Sequence, residues 1–432
     1  MNNYKYISGK SNTKDIKIGV VGLGYVGLPL ALAFAKIFNV IGFDLNKERI
    51  KGLRNGFDKN NDINKTDFLE KDIFFTDSEK HLRDVNFFVI SVPTPVDDNK
   101  VPNLDYLIKA SKLVSKYLNK GDFIIYESTV YPGATESICL PIILKETSLQ
   151  LNTDFYLGYS PERINPGDKS KTIDQIVKVT SGSCPEAADY IDAVYKSIIK
   201  AGTLKASSIK VAEAAKVIEN IQRDVNIALF NELAQIFNKL GIDSKDVFQA
   251  AASKWNFHNY QPGLVGGHCI GVDPYYMTYL CEQIQFQPKI INAGRAINDS
   301  MAKYVSSKFF RILKENVPKG SIHVLIIGAS FKENCSDIRN SKVFEIYGLL
   351  ANYGCLVDII DEYVDEQEVY NIYKLKLNRN PKKNFYDGLL LAVPHDIYLD
   401  KGINFIKSFG KPDCIFFDLK SIYKKGDSQL RL

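Results

Sequence analysis

The stretch that most constrains this chain is residues 16–44, IKIGVVGLGYVGLPLALAFAKIFNVIGFD. A continuous apolar run passes through a glycine turn into an alanine- and leucine-rich helix pattern and ends in a second apolar run, which makes a βαβ unit of about 30 residues. Gly22, Gly24 and Gly27 form GxGxxG between strand and helix. The first two let the turn and a pyrophosphate fit, and the third lets the helix approach the strand. That motif alone is a weak signal. Here Asp44 closes the second strand, about 20 residues on, where a carboxylate accepts hydrogen bonds from both ribose hydroxyls. The same charge repels a 2′-phosphate, so NAD is expected rather than NADP.

Further short apolar runs at residues 85–93, 121–129 and 155–161, separated by helix-like stretches, carry the rhythm of a doubly wound parallel sheet. From Ser208 the character changes: more than thirty residues run with apolar spacings of three and four, without proline, to a stop at Gly241. This reads as one long helix in a helical middle domain, with a length to offer a partner subunit. After Pro318 the sheet rhythm returns in SIHVLIIGASF, SKVFEIYGLLANYG and CLVDIIDEY. The expected fold is α/β, with two Rossmann-like doubly wound domains joined by a central helical domain with a long helix, divided at 1–205, 206–310 and 311–432. The second copy reads GASFKEN where the first has GLGYVG, so it should bind something other than a dinucleotide in that manner.

Net charge is only +5, with 24% charged residues spread along the chain, so no clustered basic face for nucleic acid is expected, while anionic small molecules remain possible. The first fifteen residues are polar, and no apolar run approaches the ~18 residues of a membrane span, so a cytoplasmic protein without membrane association is expected. Seven scattered cysteines without a CxxC pair fit neither a disulfide framework nor a metal site. One of them, Cys269, stands among glycines in GLVGGHCIGVDP. Glycines at such density mean a tight bend or a close approach. Cys269 is then either a small buried hydrophobe in a loop or an accessible thiol. Likewise SVPTP (91–95) and ESTVYPG (127–133) put Ser, Thr and Pro at carboxyl strand edges, where open α/β sheets bind ligands, though each also suits an ordinary strand-ending turn.

Taken together, GLGYVGLP, SVPTP, ESTVYPG, SPERINPG, AEAAKVIEN, GLVGGHCIGVDP and SFKENCSDIRNS resemble, in order and across nearly the whole chain, the UDP-sugar 6-dehydrogenases of the UDP-glucose/GDP-mannose dehydrogenase family. ESTVYPGATE, SPERINPGDK, KVIENIQRDVNIALFNELA and GGHCIGVDPYY look like the branch acting on UDP-N-acetylglucosamine or UDP-N-acetylgalactosamine. The resemblance implies an NAD-dependent, four-electron oxidation of a sugar C6 alcohol to a carboxylate, by a homodimer that supplies surface polysaccharide synthesis. Oxidation of UDP-glucose, UDP-ManNAc or GDP-mannose by the same mechanism is the near alternative. A 3-hydroxyacid dehydrogenase, which stops after one hydride transfer and needs no thiol, and an NAD-sensing scaffold are the distant ones.

The resemblance also assigns roles. Cys269 is the thiol that retains the aldehyde as a thiohemiacetal and then a thioester. Lys216 and Asn220, one turn apart, stabilise negative charge on the C6 oxygen, and Asp273 works with the lysine on proton transfer. Glu162 is the general base of thioester hydrolysis, and Thr129 helps to hold the water. Besides the three glycines and Asp44, the cofactor residues are Tyr25, Val26, Arg49, Pro93, Thr94, Thr129 and Arg339. Glu162, Lys216, Asn220, Gly263, Gly266 and Lys332 face the sugar nucleotide, as does Tyr260. His268 agrees with the acetamido-sugar branch, and is either a hydrogen-bonded loop histidine or a neighbour that lowers the thiol pKa if charged. Arg163 and Arg223 either read the acetamido group or a phosphate, or form surface ion pairs.

Overall fold

A computed structural model of the chain describes residues 15–58, 63, 68, 73–97, 99–163, 172–317 and 320–432. The polar segment 1–14 and residues 164–169 of SPERINPGDK lie outside them. The chain divides into two compact units, one of Met1–Glu219 with Tyr275–Phe286, the other of Asn220–Pro274 with Gln287–Leu432.

The first unit is built on β1 (Lys17–Val21), β2 (Asn39–Phe43), β3 (Ile73–Thr76), β4 (Phe87–Ile90), β5 (Asp122–Tyr126) and β6 (Phe155–Tyr159). All pair in parallel, in the order β3-β2-β1-β4-β5-β6. Strands β4, β5 and β6 are buried along their whole length, which is why they read as unbroken apolar runs without alternation. Phe123 stacks between Tyr156 and Tyr190 at centroid distances of 4.9 and 4.3 Å, and Phe34 meets Tyr195 edge-on at 5.4 Å. A short parallel pair, β7 (Lys178–Thr180) and β8 (Thr203–Lys205), follows β6. The strand order reverses between β1 and β4, and that switch point is where open α/β sheets take ligands. The sequence reading finds β1, β2 and β4 to β6 but not β3, whose four residues IFFT are too short a run to stand out.

The second unit holds β9 (His323–Ile327), β10 (Leu356–Ile360), β11 (Tyr386–Leu391), β12 (Gly410–Asp418) and β13 (Leu430–Arg431), parallel in the order β10-β9-β11-β12-β13. The helix Lys289–Asn316 packs Met301, Val305, Phe309 and Leu313 into the core of this sheet. The structure is therefore the expected α/β fold, with a Rossmann-like sheet in the N-terminal and in the C-terminal part of the sequence and long helices in the part of the sequence between them.

The long helix is Ile209–Leu240, ended by Gly241 at φ +71°. Its amphipathicity is inverted. Glu213, Lys216, Asn220, Asp224 and Asn231, spaced by threes, fours and sevens along one face, are all 4% exposed or less. Val211, Ile218, Leu229, Ile236 and Leu240 stand out on another face at 46 to 65% exposure.

Candidate active site

In the first unit, the glycine turn has the geometry a dinucleotide needs. Gly22 sits at φ +95°, and a Cβ there would lie 2.7 Å from the Ser91 carbonyl oxygen. At Gly27 a Cβ would come within 1.9 Å of the Gly22 oxygen, so only glycine lets the helix Gly27–Phe34 start against the strand. Gly24 faces open space and is exposed, leaving room above the backbone for a pyrophosphate. Asp44 accepts the Leu23 N–H at 2.9 Å on one oxygen and the Asn46 N–H at 2.9 Å on the other. Each oxygen keeps a further lone pair on a half-exposed side chain, so the carboxylate still has acceptors for a ribose. Asn46 caps the helix Lys47–Arg54 by accepting from Arg49 N–H. Arg49 thereby reaches back to donate to the Leu23 carbonyl at 3.0 Å and to pair with Asp58 at 2.5 Å. Tyr25 and Val26 are half-buried in the turn, Pro93 is exposed beyond β4, and the Thr94 carbonyl accepts the Tyr276 hydroxyl at 2.7 Å. The residues present fit NAD.

Two further strand ends of this sheet carry polar residues that the sequence singles out. Thr129 lies half-buried after β5, and Glu162 is 3% exposed after β6. Glu162 Oε2 stands 3.5 Å from Lys216 Nζ, both side chains 4% exposed. One turn before Lys216, Glu213 accepts the Gly133 N–H and, at 2.9 Å, the Thr135 N–H, which fixes the YPGAT loop that follows Thr129. Arg163 pairs with Glu219 at 3.4 Å and donates to the Val177 carbonyl at 3.3 Å, the ion-pair arrangement that the sequence left open for it.

In the second unit, the Cys269 loop is held at three places. Asn231 clamps Gly263, its amide oxygen accepting the Gly263 N–H at 2.8 Å and its amide nitrogen donating to the Gly263 carbonyl at 3.0 Å. Asn231 is braced in turn by Asn298 at 2.8 Å, and Asn298 by Asp224 at 2.7 Å, which pairs with Arg295 at 2.6 Å. A Cβ on Gly266 would lie 2.7 Å from the Asn340 oxygen, and one on Gly267, at φ +76°, 2.8 Å from the Phe331 ring. The two glycines thus admit the protein's own SFKEN and RNS segments, whereas Gly263 and Gly271 have no such crowding. His268 Nδ1 is 3.4 Å from Asp337 Oδ2, and Arg339 forks onto the same carboxylate at 3.0 and 2.6 Å. Burial alone would raise the Asp337 carboxyl, but His268 and Arg339 hold it well below the usual carboxylate range. Lys332 lies over the Phe331 ring at 5.6 Å.

The Cys269 carbonyl accepts the N–H groups of Val272 and Asp273 at 3.0 and 2.8 Å, so thiol and carboxylate flank one tight turn opening the helix Asp273–Gln283. Asn220 donates to Asp273, and Arg223 donates to Asn220. Tyr260 exchanges hydrogen bonds with Gln222 at 2.8 and 3.1 Å. Cys269 is half-buried, as are Cys184, Cys335 and Cys414, and burial pushes the six thiols other than Cys269 up, Cys139 to about 12 and Cys355 to about 11. Those six are poor sources of thiolate at neutral pH. Among the described residues no group of three His, Cys, Asp or Glu side chains could hold a metal ion, and no helix is long and apolar enough to cross a membrane.

Glu213 and Asn231 go beyond the set read from sequence. Their signal was present: both continue the polar spacing of Lys216 and Asn220 along the long helix.

Comparison with known proteins agrees over the whole length. Residues 16–199, 210–300 and 325–425 match the NAD binding, central and UDP binding domains of the UDP-glucose/GDP-mannose dehydrogenase family. A UDP-N-acetyl-D-glucosamine 6-dehydrogenase of Pseudomonas aeruginosa is 50% identical over 97% of this chain and 100% of its own. The Salmonella typhi enzyme of that name is 49% identical over 97% and 99%. The solved UDP-D-ManNAc dehydrogenase from Pyrococcus horikoshii, 28% identical, superposes with a TM-score of 0.86 over 95% of this chain and 96% of that one. The chain belongs to the UDP-glucose/GDP-mannose dehydrogenase family and is an NAD-dependent oxidoreductase of nucleotide sugars.

Proposed function

We propose that the protein is a UDP-N-acetylhexosamine 6-dehydrogenase that takes UDP-N-acetylglucosamine or UDP-N-acetylgalactosamine to the corresponding uronic acid. The substrate class rests on near-50% identity, end to end, with two enzymes named for UDP-N-acetylglucosamine. The observation that carries the chemistry is the turn in which half-buried Cys269 and buried Asp273 flank a shared backbone bend, Asp273 being held by Asn220.

The glycine turn and Asp44 would hold NAD, which when bound would supply the hydride acceptor for each of the two oxidations. Lys216 and Asn220 stabilise negative charge on the C6 oxygen as the alcohol loses its proton toward Asp273. The Cys269 thiolate adds to the resulting aldehyde, keeping it from solvent as a thiohemiacetal whose oxidation leaves a thioester. Water, deprotonated by Glu162 and held with help from Thr129, releases the acid. The balance is one alcohol, one water and two NAD⁺ giving one carboxylate, two NADH and three protons. Lys332, Tyr260, His268 and Arg223 are assigned to the sugar nucleotide, and Arg339 to the cofactor.

The domain division at 1–205, 206–310 and 311–432 and a homodimer belong to the same reading. The exposed apolar face of Ile209–Leu240 supports the dimer, because such a stripe on a soluble protein marks an interaction surface. A cytoplasmic location and delivery of the product to a surface polysaccharide complete it.

The test is a panel of UDP-GlcNAc, UDP-GalNAc, UDP-glucose and UDP-ManNAc followed by NADH formation. At least tenfold higher kcat/KM for one of the first two is expected. Preference for UDP-glucose or UDP-ManNAc would move the chain to another branch.

A further inference from the structure

We infer that Glu127, Lys178 and Tyr195 form a buried positioning unit that aligns Glu162 and Thr129 for the hydrolytic half of the reaction. This rests on the assignment of Glu162 as hydrolytic base.

Lys178 Nζ lies 2.6 Å from Glu127 Oε2, with side-chain exposures of 5% and 1%. Desolvating two charges costs several kcal/mol apiece, and well-packed apolar residues often do as well or better for stability. Stability is therefore a weak reason for this pair, and its other bonds supply a stronger one. The same ammonium donates to the Pro161 carbonyl at 2.9 Å, one residue before Glu162. Glu127 is two residues before Thr129. One ion pair thus ties the segment after β5 to the segment after β6, the two that carry the proposed base and water holder. Tyr195 anchors the pair from the helix Pro185–Lys196: its hydroxyl donates to Glu127 Oε1 at 2.5 Å, and its ring lies 5.6 Å from Lys178 Nζ. The ring is itself fixed against Phe34 and Phe87. Around the same segment, Ser160 donates to the Val179 carbonyl and Ser181 to the Tyr159 carbonyl, each at 2.7 Å. Burial, the largest influence on Glu127, pushes its carboxyl up; Lys178 and Tyr195 oppose this, and the charge of Glu162 adds to it.

The step this unit serves involves no redox change. Water oxygen attacks the thioester carbonyl, Glu162 takes a proton from it, the C–S bond breaks, and the Cys269 sulfur leaves as thiolate. Glu162 and Thr129 have to agree on one water position, and a misplacement of about 1 Å costs on the order of 100-fold.

The experiment follows NADH in the pre-steady state with UDP-GlcNAc and NAD, and measures the mass of the Cys269 peptide after quenching. Lys178→Met and Glu127→Gln should keep a burst of about two NADH per active site while the steady rate falls roughly 100-fold and a uronyl adduct accumulates on Cys269. Lys178→Arg, which can still donate to both partners, should recover to within about tenfold of the parent. If Lys178→Met does not fold, Tyr195→Phe decides, since it deletes one hydroxyl and keeps the ring packing: a three- to tenfold slower steady rate with a full burst is expected. Burst and turnover falling together in folded variants, or a steady rate unchanged in Tyr195→Phe and Glu127→Gln, overturns the inference. Glu162→Gln separates it from the reading beneath: an adduct there, but none in the Lys178 and Glu127 variants, defeats only the positioning unit. No adduct in Glu162→Gln defeats the assignment of Glu162.

Discussion

In each of the two large sheets the first strand ends at a glycine of positive φ whose N–H bonds the last carbonyl of the neighbouring strand, Gly22 to Phe43 and Gly328 to Ile360, both at 2.9 Å. In each, an aspartate follows that neighbouring strand and accepts from the glycine turn, Asp44 from Leu23 N–H and Asp361 from Ala329 and Ser330 N–H at 2.7 and 3.2 Å. From there they diverge. Asp361 also accepts the N–H groups of Tyr363 and Val364 at 2.8 and 3.1 Å and lies 2.9 Å from His395 Nε2, and it is 2% exposed. Because His395 Nδ1 accepts the Asn334 N–H at 2.9 Å, Nε2 carries the proton and donates to the carboxylate. A carboxylate has about four lone-pair sites, so Asp361 is consumed by its own loops while Asp44 keeps capacity for a ligand. One local plan has become an open turn with acceptors to spare in the first unit and a structural brace in the second.

The largest expected effect tests the brace. Asp361→Ala orphans four backbone N–H groups and a buried histidine, and should cost about 3–5 kcal/mol in denaturant unfolding. Asp44→Ala, half-exposed and accepting two N–H groups, should cost about 1–2 kcal/mol. Equal losses would erase the contrast. It also has a pH signature: burial raises the Asp361 carboxyl, but His395 and the backbone donors outweigh it, so its folded pKa is lowered. Its stabilisation is then complete above the unfolded value of about 3.9 and is lost as pH falls through the folded one. As pH falls below about 4, the stability gap between the parent and Asp361→Ala should begin to narrow.

Next come the glycines. Gly328→Ala forces a Cβ to 2.4 Å from the Val393 oxygen at φ +87° and should cost about 2–4 kcal/mol. Gly24→Ala meets open space, so stability should stay within about 0.5 kcal/mol while NAD binding weakens, as read by calorimetry. Unchanged NAD affinity would remove the pyrophosphate from that turn. Then comes the specificity change: Asp44→Ala should shift the ratio of kcat/KM for NAD over NADP toward NADP by about tenfold, near 1.4 kcal/mol. No shift would detach Asp44 from the ribose.

The glycine turn was legible in the sequence because everything it needs is local: three glycines, a strand on either side and an acid at the next strand end. The brace was not, since GASFKEN keeps only the first glycine and its other half, Asp361 and His395, lies in separate segments that the sheet brings together. For the same reason Glu127 and Lys178 were invisible; nothing in a linear reading pairs a strand-end glutamate with a lysine that opens a later strand. Lys216 and Asn220 were singled out only by the motif resemblance, since spacing alone cannot tell a buried polar stripe from a solvated one; their near-complete burial follows from a helix whose polar stripe faces inward. The glycines around Cys269 were read as a tight bend or a close approach, and at Gly266 and Gly267 the close approach is that of Asn340 and Phe331 of the same unit.

The most direct test of the account counts NADH per sugar oxidised by the intact enzyme on UDP-GlcNAc, with an aldehyde trap present, beside Cys269→Ser. The account predicts two NADH per sugar, no trapped aldehyde, and in Cys269→Ser a loss of acid formation of at least about 1,000-fold with NAD still bound. One NADH per sugar with free aldehyde, or full acid formation without the thiol, would contradict it.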